Sequence, residues 1–73
     1  MTLVIDGREL EPPEPLQRVL AALDDLADGD EIHVLLYCHP VPLISILQRN
    51  GYAWQEALLE DGTHELRIRR AAP

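Results

Sequence analysis

The stretch EIHVLLYCHPVPL, residues 31–43, contains the transition that decides the fold. Its even-numbered positions up to 36 carry Ile, Val and Leu, and its odd-numbered positions include Leu35 and Tyr37. Side chains alternate across a strand, so both faces of residues 31–37 are partly apolar, which is typical of a central strand. Pro40 and Pro42 then stiffen the chain and suit the first turn of a helix. The stretch therefore predicts a central strand followed at once by a helix.

The same order of signals occurs earlier in the chain. Thr2–Ile5 is a β-branched and aliphatic run that predicts a strand, and Asp6-Gly7 ends it with turn residues. After a proline-rich segment, apolar residues recur with the spacing of an amphipathic helix: Leu16, Val19, Leu20, Leu23 and Leu26. Asp28-Gly29-Asp30 is predicted to stop this helix with a glycine cap. A helix between two strands implies a parallel, right-handed crossover.

The C-terminal half completes a β-α-β-α-β-β order. Asn50-Gly51 is predicted to end the second helix, whose apolar residues are Leu43, Ile44, Ile46 and Leu47. Tyr52–Leu59 and His64–Arg70 then predict two strands joined by a hairpin around Asp61-Gly62. These elements predict a single α/β (α+β) domain over residues 1–73, a two-layer sandwich with both helices on one face of a four-stranded sheet. Residues 1–2 and 71–73 are expected to fray.

The other face of the sheet is expected to be open to solvent. Leu35, Tyr37 and Trp54 are candidates to lie partly on it, and this face could support a weak homodimer, with a monomer as the alternative.

Composition indicates an acidic, cytoplasmic protein. The net charge is −7, and eight of the thirteen acidic residues lie between Glu9 and Glu31. Such a surface repels the phosphates of nucleic acids and anionic membranes, so neither is an expected partner. The longest stretch without a charge, Val34–Gln48, is interrupted by two prolines, and the N-terminus lacks the pattern of a secretory signal. The lone Cys38 cannot form an intramolecular disulfide.

The best candidate for a ligand or partner site is the edge where the two helices start. The carboxyl ends of parallel strands lie at one edge of a sheet, where ligands of α/β folds often bind, and two helix N-termini there favour anions. The residues predicted for this edge are Glu11, Pro12, Pro13, Glu14, Pro15, Cys38, His39, Pro40 and Pro42.

Few residues at this edge indicate chemistry, and no catalytic residue is predicted. His39 together with Cys38 could bind a transition metal or haem, although no C-x-x-C or H-x-x-x-H spacing supports it. Cys38 at a helix start could alternatively be a reactive thiol. Glu11 and Glu14 are better explained by the helix dipole than by acid–base catalysis. His33 and His64 are predicted to be structural or solvated, and no cofactor is otherwise expected.

The segment Pro12-Pro13-Glu14-Pro15-Leu16 resembles the Cys-Pro-x-Pro helix start of the TusA/SirA sulfur-carrier family, and the order of elements is similar along nearly the whole chain. In that family the motif cysteine carries a persulfide. Here the corresponding residue is Pro12, so the resemblance supports the architecture and excludes sulfur transfer by that residue. Sulfur handling by Cys38, at the second helix start, is left as an alternative.

A closer resemblance is to a related, uncharacterised bacterial family that lacks this cysteine. Its members occur alone or fused to domains such as hemerythrin-like ones, and they show a Gly-x-x-Pro-Pro-Glu-Pro-like start and a His-x-Pro-x-Pro-Leu-like second helix start. The matching segments here are residues 8–16 and 38–43. The resemblance implies a mixed sheet whose last strand is antiparallel to the rest. It also suggests a non-enzymatic protein-binding or regulatory module linked to redox, sulfur or respiratory metabolism.

Overall fold

The computed structural model describes residues 1–71, and its helices and strands follow the predicted order. Ala72 and Pro73, part of the tail predicted to fray, lie outside the described residues. The elements are β1 (Thr2–Asp6), α1 (Glu14–Asp24), β2 (Glu31–Leu36), α2 (Val41–Arg49), β3 (Tyr52–Leu58) and β4 (His64–Arg70). Within residues 1–71, neither helix has the length and apolarity needed to cross a membrane.

The four strands form one mixed sheet in the order β1-β2-β4-β3. β1 runs parallel to β2, with Ile5 opposite Val34, as the helix between them predicted. β4 is antiparallel to both of its neighbours, β2 and β3. The mixed sheet with an antiparallel last strand, implied by the family resemblance, is therefore confirmed.

One face of the sheet carries the core. Ile32 and Val34 of β2 lie opposite Ile68 and Leu66 of β4, so these four buried side chains share a face. Both helices cover this face, as predicted, because the buried cluster also contains residues of α1, α2 and the loop after α1. Its members are Val19, Leu23, Leu26, Ile32, Val34, Leu36, Leu43, Leu47, Leu66 and Ile68.

The two helices end differently, and only one end was predicted correctly. α2 is capped by Asn50, and Gly51 follows with a φ of 76°, a left-handed conformation that glycine adopts without steric cost. α1 was predicted to continue to the glycine at position 29, but it ends at Asp24. The N–H of Asp25 donates to the Ala22 carbonyl at 3.1 Å, and that of Leu26 donates to the Leu23 carbonyl at 3.2 Å. Gly29, with a φ of 87°, instead forms part of the turn that leads into β2.

The predictions for the open face and the strand ends are corrected at a few positions. Leu35 lies on the open face and is half-buried, but Trp54 does not, because it pairs with Ile68 and packs against the core. Tyr37, predicted to end β2, lies just beyond it and is exposed. β3 likewise ends at Leu58 rather than at residue 59.

The N-terminal residues, expected to fray, are joined to the start of β2. Thr2 is the first residue of β1 and lies opposite Glu31. The N–H of Glu31 donates to the Met1 carbonyl at 3.0 Å, and the terminal ammonium pairs with Asp30 at 3.1 Å. This ammonium lowers the pKa of the Asp30 carboxyl.

Candidate binding groove and histidine cluster

The close approach of β1 to β2 at their carboxyl ends places the start of α1 beside that of α2. The N–H of Gly7, just after β1, donates to the Leu35 carbonyl at 2.8 Å. Gly7 is buried, and a Cβ at this position would lie only 2.7 Å from Leu36 Cδ2 and 3.1 Å from Pro15 Cβ. A glycine therefore allows the first proline segment to pack closely against the end of β2, and a larger residue would have to displace the Leu36 side chain.

A groove of about 440 Å³ lies at this edge and includes most of the residues predicted for it. The predicted residues that line it are Pro12, Pro13, Pro15, Cys38, His39, Pro40 and Pro42. The lining also includes leucines at positions 10, 16, 36 and 43. Glu11 and Glu14, also predicted, are exposed and alternate along the chain with lining prolines. The groove is thus apolar inside and acidic along one border.

Arg8 also lines the groove, but its charge is already balanced. Its guanidinium donates to both carboxylate oxygens of Asp6, at 2.9 and 2.8 Å, and lies 3.9 Å from Asp61. The hydrogen bonds from Arg8 hold the pKa of Asp6 at about 2, and the pKa of Arg8 is raised in turn. Hydrogen bonding from Thr63, aided by the nearby guanidinium, lowers the pKa of Asp61. Arg8 therefore connects the end of β1 to the hairpin between β3 and β4 through its contacts with Asp6 and Asp61.

The helix starts are less suited to anions than the sequence predicted. The N–H of Glu14 donates to the Glu11 carbonyl at 3.0 Å, and that of Val41 donates to the His39 carbonyl at 3.0 Å. The next residue in each helix is a proline, which has no N–H. Glu14 also places a negative charge in the first turn of α1. Hydrogen-bond donors for an anion are consequently scarce at the start of both helices.

The structure brings His39 together with two residues that were not predicted for the site, Glu56 and His64. His39 Nδ1 donates to Glu56 Oε2 at 2.8 Å, and His64 Nδ1 lies 3.8 Å from the same oxygen. One ligand atom from each of the three residues lies within 4.8 Å of the other two. The residues come from the loop before α2, from β3 and from the first position of β4. We call this set the histidine cluster.

Cys38 is exposed and lines the groove, but it does not belong to the histidine cluster. The proposed pairing of Cys38 with His39 for a metal or haem stays a prediction. Sequence reasoning missed Glu56 and set His64 aside as structural or solvated. The sequence contained a partial signal for the contact between Glu56 and His64. A hairpin turn around Asp61-Gly62 places Leu58 opposite His64, so Glu56, two residues before Leu58, lies on the same face of the sheet as His64.

The comparisons with known proteins place the chain in a family. The sequence profile of a family described as "Uncharacterized conserved protein (DUF2249)" matches residues 4–70. The chain belongs to the DUF2249 family. No match to this DUF2249 chain was found among the curated proteins.

A solved structure with a similar fold is that of the SirA-like protein from Desulfitobacterium hafniense. The two are 22% identical with a TM-score of 0.79, and the alignment covers 99% of the DUF2249 chain and 100% of the other. The predicted relationship to the TusA/SirA-like fold is thereby confirmed. At this level of identity the similarity extends to the fold alone.

Proposed function

We propose that this DUF2249 domain is a non-enzymatic protein-binding module whose groove takes an apolar segment of a partner protein flanked by basic residues. The observation that carries the proposal is the apolar groove of about 440 Å³ between the two proline-rich helix starts. Its volume lies within the range of about 300–1,000 Å³ typical of small-molecule pockets, which is enough space for a few side chains of a partner.

The lining favours an apolar occupant over a charged one. Prolines and leucines form most of the groove. Removing their apolar surfaces from water lowers the free energy of the bound state. Prolines are already restricted in conformation, so covering them costs little side-chain entropy. The one arginine in the lining is held by Asp6 and Asp61, which leaves little positive charge for an anion.

The charges around the groove favour basic residues in the partner. Glu9, Glu11 and Glu14 are exposed and alternate along the chain with residues that line the groove. The net charge of −7 extends this negative potential beyond the contact itself. Complementary charge speeds association and sets the orientation of the partner, and it is weakened by salt.

The wider context follows from the family resemblance. The TusA/SirA family is one of sulfur carriers, and the resemblance suggests redox, sulfur or respiratory metabolism for this domain. Pro12 stands at the position of the carrier cysteine. A module that has kept the proline scaffold without this cysteine is suited to protein binding.

Selection from a random peptide library displayed on phage, with the untagged chain as target, tests the proposal. We expect the enriched peptides to combine apolar residues with neighbouring Arg or Lys. Leu10→Asp places a charge in the groove lining. It should weaken binding of the enriched peptides by at least about tenfold, because burial of one leucine is worth about 1.5–3 kcal/mol.

Two matched variants control for the effect of adding a charge. Leu58→Asp changes a leucine that is 69% exposed and lies outside the groove, and it should leave binding unchanged. Val4→Asp changes an exposed residue on the open face of the sheet. Enriched peptides that lack the apolar and basic pattern would contradict docking in the groove. So would peptides whose binding is weakened by Val4→Asp but not by Leu10→Asp. Self-association that Leu10→Asp abolishes would make a second copy of the chain the occupant instead.

A further inference from the structure

We infer that His39, Glu56 and His64 form a binding site for a first-row divalent transition-metal ion such as Zn²⁺ or Fe²⁺. The site is distinct from the pairing of His39 with Cys38 that the sequence indicated. It uses side chains from three separate parts of the chain that only the folded structure brings together.

The distances suit a shared ion. Nitrogen and oxygen ligands lie about 2.0–2.2 Å from Zn²⁺, so two ligands at a tetrahedral angle are roughly 3.4 Å apart. His39 Nδ1 and His64 Nδ1 lie 2.8 and 3.8 Å from Glu56 Oε2, on either side of that value. The imidazole rings have centroids 6.1 Å apart and are tilted by 57°, so they do not stack against each other. Small side-chain rotations are therefore enough to direct three ligand atoms at one point.

The backbone holds two of the three ligands in register. Leu58 lies opposite His64 in the antiparallel pair of β3 and β4, and Glu56 lies two residues before Leu58. Glu56 and His64 therefore project from the same face of the sheet. This is the face that carries the core, because Glu56 lies opposite the buried Leu66. His39 reaches the pair from the short loop between β2 and α2.

The ligand types select the class of ion. Two imidazoles and one carboxylate are the protein ligands of many zinc sites and of the facial triad of non-haem iron sites. Calcium and magnesium prefer oxygen ligands alone, so they are disfavoured here. Three protein ligands leave at least one coordination position open to water or to another ligand. His39 and His64 side chains are 50% and 23% exposed, which gives the ion access from solvent.

Titration of the untagged full chain with Co²⁺, followed by visible absorption and then by displacement with Zn²⁺, tests the site. We expect absorption bands that saturate at one ion per chain. His64→Ala and Glu56→Gln should each weaken binding by at least about tenfold, since even the loss of a residue that only supports a ligand costs about 10–100-fold. Far-ultraviolet circular dichroism shows whether each variant is folded. Should His64→Ala fail to fold, Glu56→Gln, at an exposed position, decides the result.

Two further variants separate this site from its alternatives. His33→Ala removes a histidine that pairs with Glu31 on the opposite face of the sheet, and it should change the affinity less than about twofold. Cys38→Ser should also leave the affinity unchanged. A loss of binding in Cys38→Ser with normal binding in His64→Ala would replace this site by the pair of His39 and Cys38. Absence of saturable binding, or equal weakening by His33→Ala, would overturn the inference.

Discussion

Gly7→Ala offers a direct test of how the groove is built, because the structure gives a specific steric reason for glycine there. The new Cβ would lie 2.7 Å from Leu36 Cδ2, 3.1 Å from Pro15 Cβ and 3.3 Å from the Leu35 carbonyl oxygen. Carbon atoms in ordinary contact are about 3.5–4.0 Å apart, so the Leu36 side chain must move by roughly 1 Å. Gly7 is not among the glycines with a positive φ, so the cost is one of space and not of backbone conformation.

The expected destabilisation is about 1–2 kcal/mol. Extra methyl groups in a packed interior cost about 1–3 kcal/mol. Replacing glycine by alanine also restricts the unfolded chain, which offsets about 0.4–1 kcal/mol of that cost. A domain of 73 residues is expected to have a free energy of unfolding of about 4–11 kcal/mol. The loss should therefore be measurable without preventing folding, and it corresponds to a fall in Tm of about 4–16 °C.

Urea denaturation at constant pH, followed by circular dichroism and by the fluorescence of Trp54, measures the loss. Leu36→Val provides the test of mechanism, because it removes the atom that Cβ would meet at 2.7 Å. In a double-mutant cycle, Gly7→Ala should cost about 1 kcal/mol less in the Leu36→Val background. Gly62→Ala is the matched control, because its Cβ would meet nothing within 4 Å and its φ is 90°. Its cost comes from backbone conformation and should not depend on residue 36.

Two outcomes would refute this reasoning. If Gly7→Ala were as stable as the unchanged chain, the close packing of the first proline segment against β2 would not depend on a glycine at this position. If its cost were the same in both backgrounds, contact with the Leu36 side chain would not be the cause.

The remaining predictions concern the core and the ion pair beside the groove. Leu47→Ala, at a fully buried position, should lower the free energy of unfolding by about 2–5 kcal/mol in urea, whereas the exposed Val41→Ala should change it by less than about 0.5 kcal/mol. Asp6→Asn should destabilise the chain at pH 7, because a lowered pKa means that the ionised carboxylate stabilises the fold. That difference should be lost as the pH falls from about 4 towards 2, through the folded pKa, in urea titrations at each pH. A difference that stays constant over this range would contradict the role given to Asp6.

Local sequence signals were sufficient for most of the fold. The end of α2 was predictable because Asn50-Gly51 combines a capping residue with a glycine that adopts positive φ. The end of α1 was not, because Asp24, Asp25 and the apolar residue that follows them continue the helical pattern. Leu26 keeps its buried position after the helix has ended. The position of Trp54 depended on the register between β3 and β4, which alternation alone does not fix.

The two parts of the candidate site differed in how far they could be predicted. The groove followed from topology, because parallel strands joined by helices bring their carboxyl ends and the proline segments together. The histidine cluster did not, because His39 meets Glu56 across 17 residues and through the packing of α2 on the sheet. No fixed spacing in the sequence marks such a contact. A three-dimensional cluster of this kind therefore needed the structure.

His39 links the groove to the histidine cluster, which makes the two proposals related but separable. Its side chain lines the groove and also donates to Glu56. An ion held by the cluster would fix the orientation of this imidazole. A segment bound in the groove would contact the same imidazole, and it would raise or lower the affinity for the ion according to whether it fits that orientation. Such coupling must be reciprocal, because each ligand alters the affinity for the other by the same factor. His64 is outside the groove lining, and Leu10 is outside the cluster. Substitutions at these two positions therefore remove one kind of binding while leaving the contacts of the other intact.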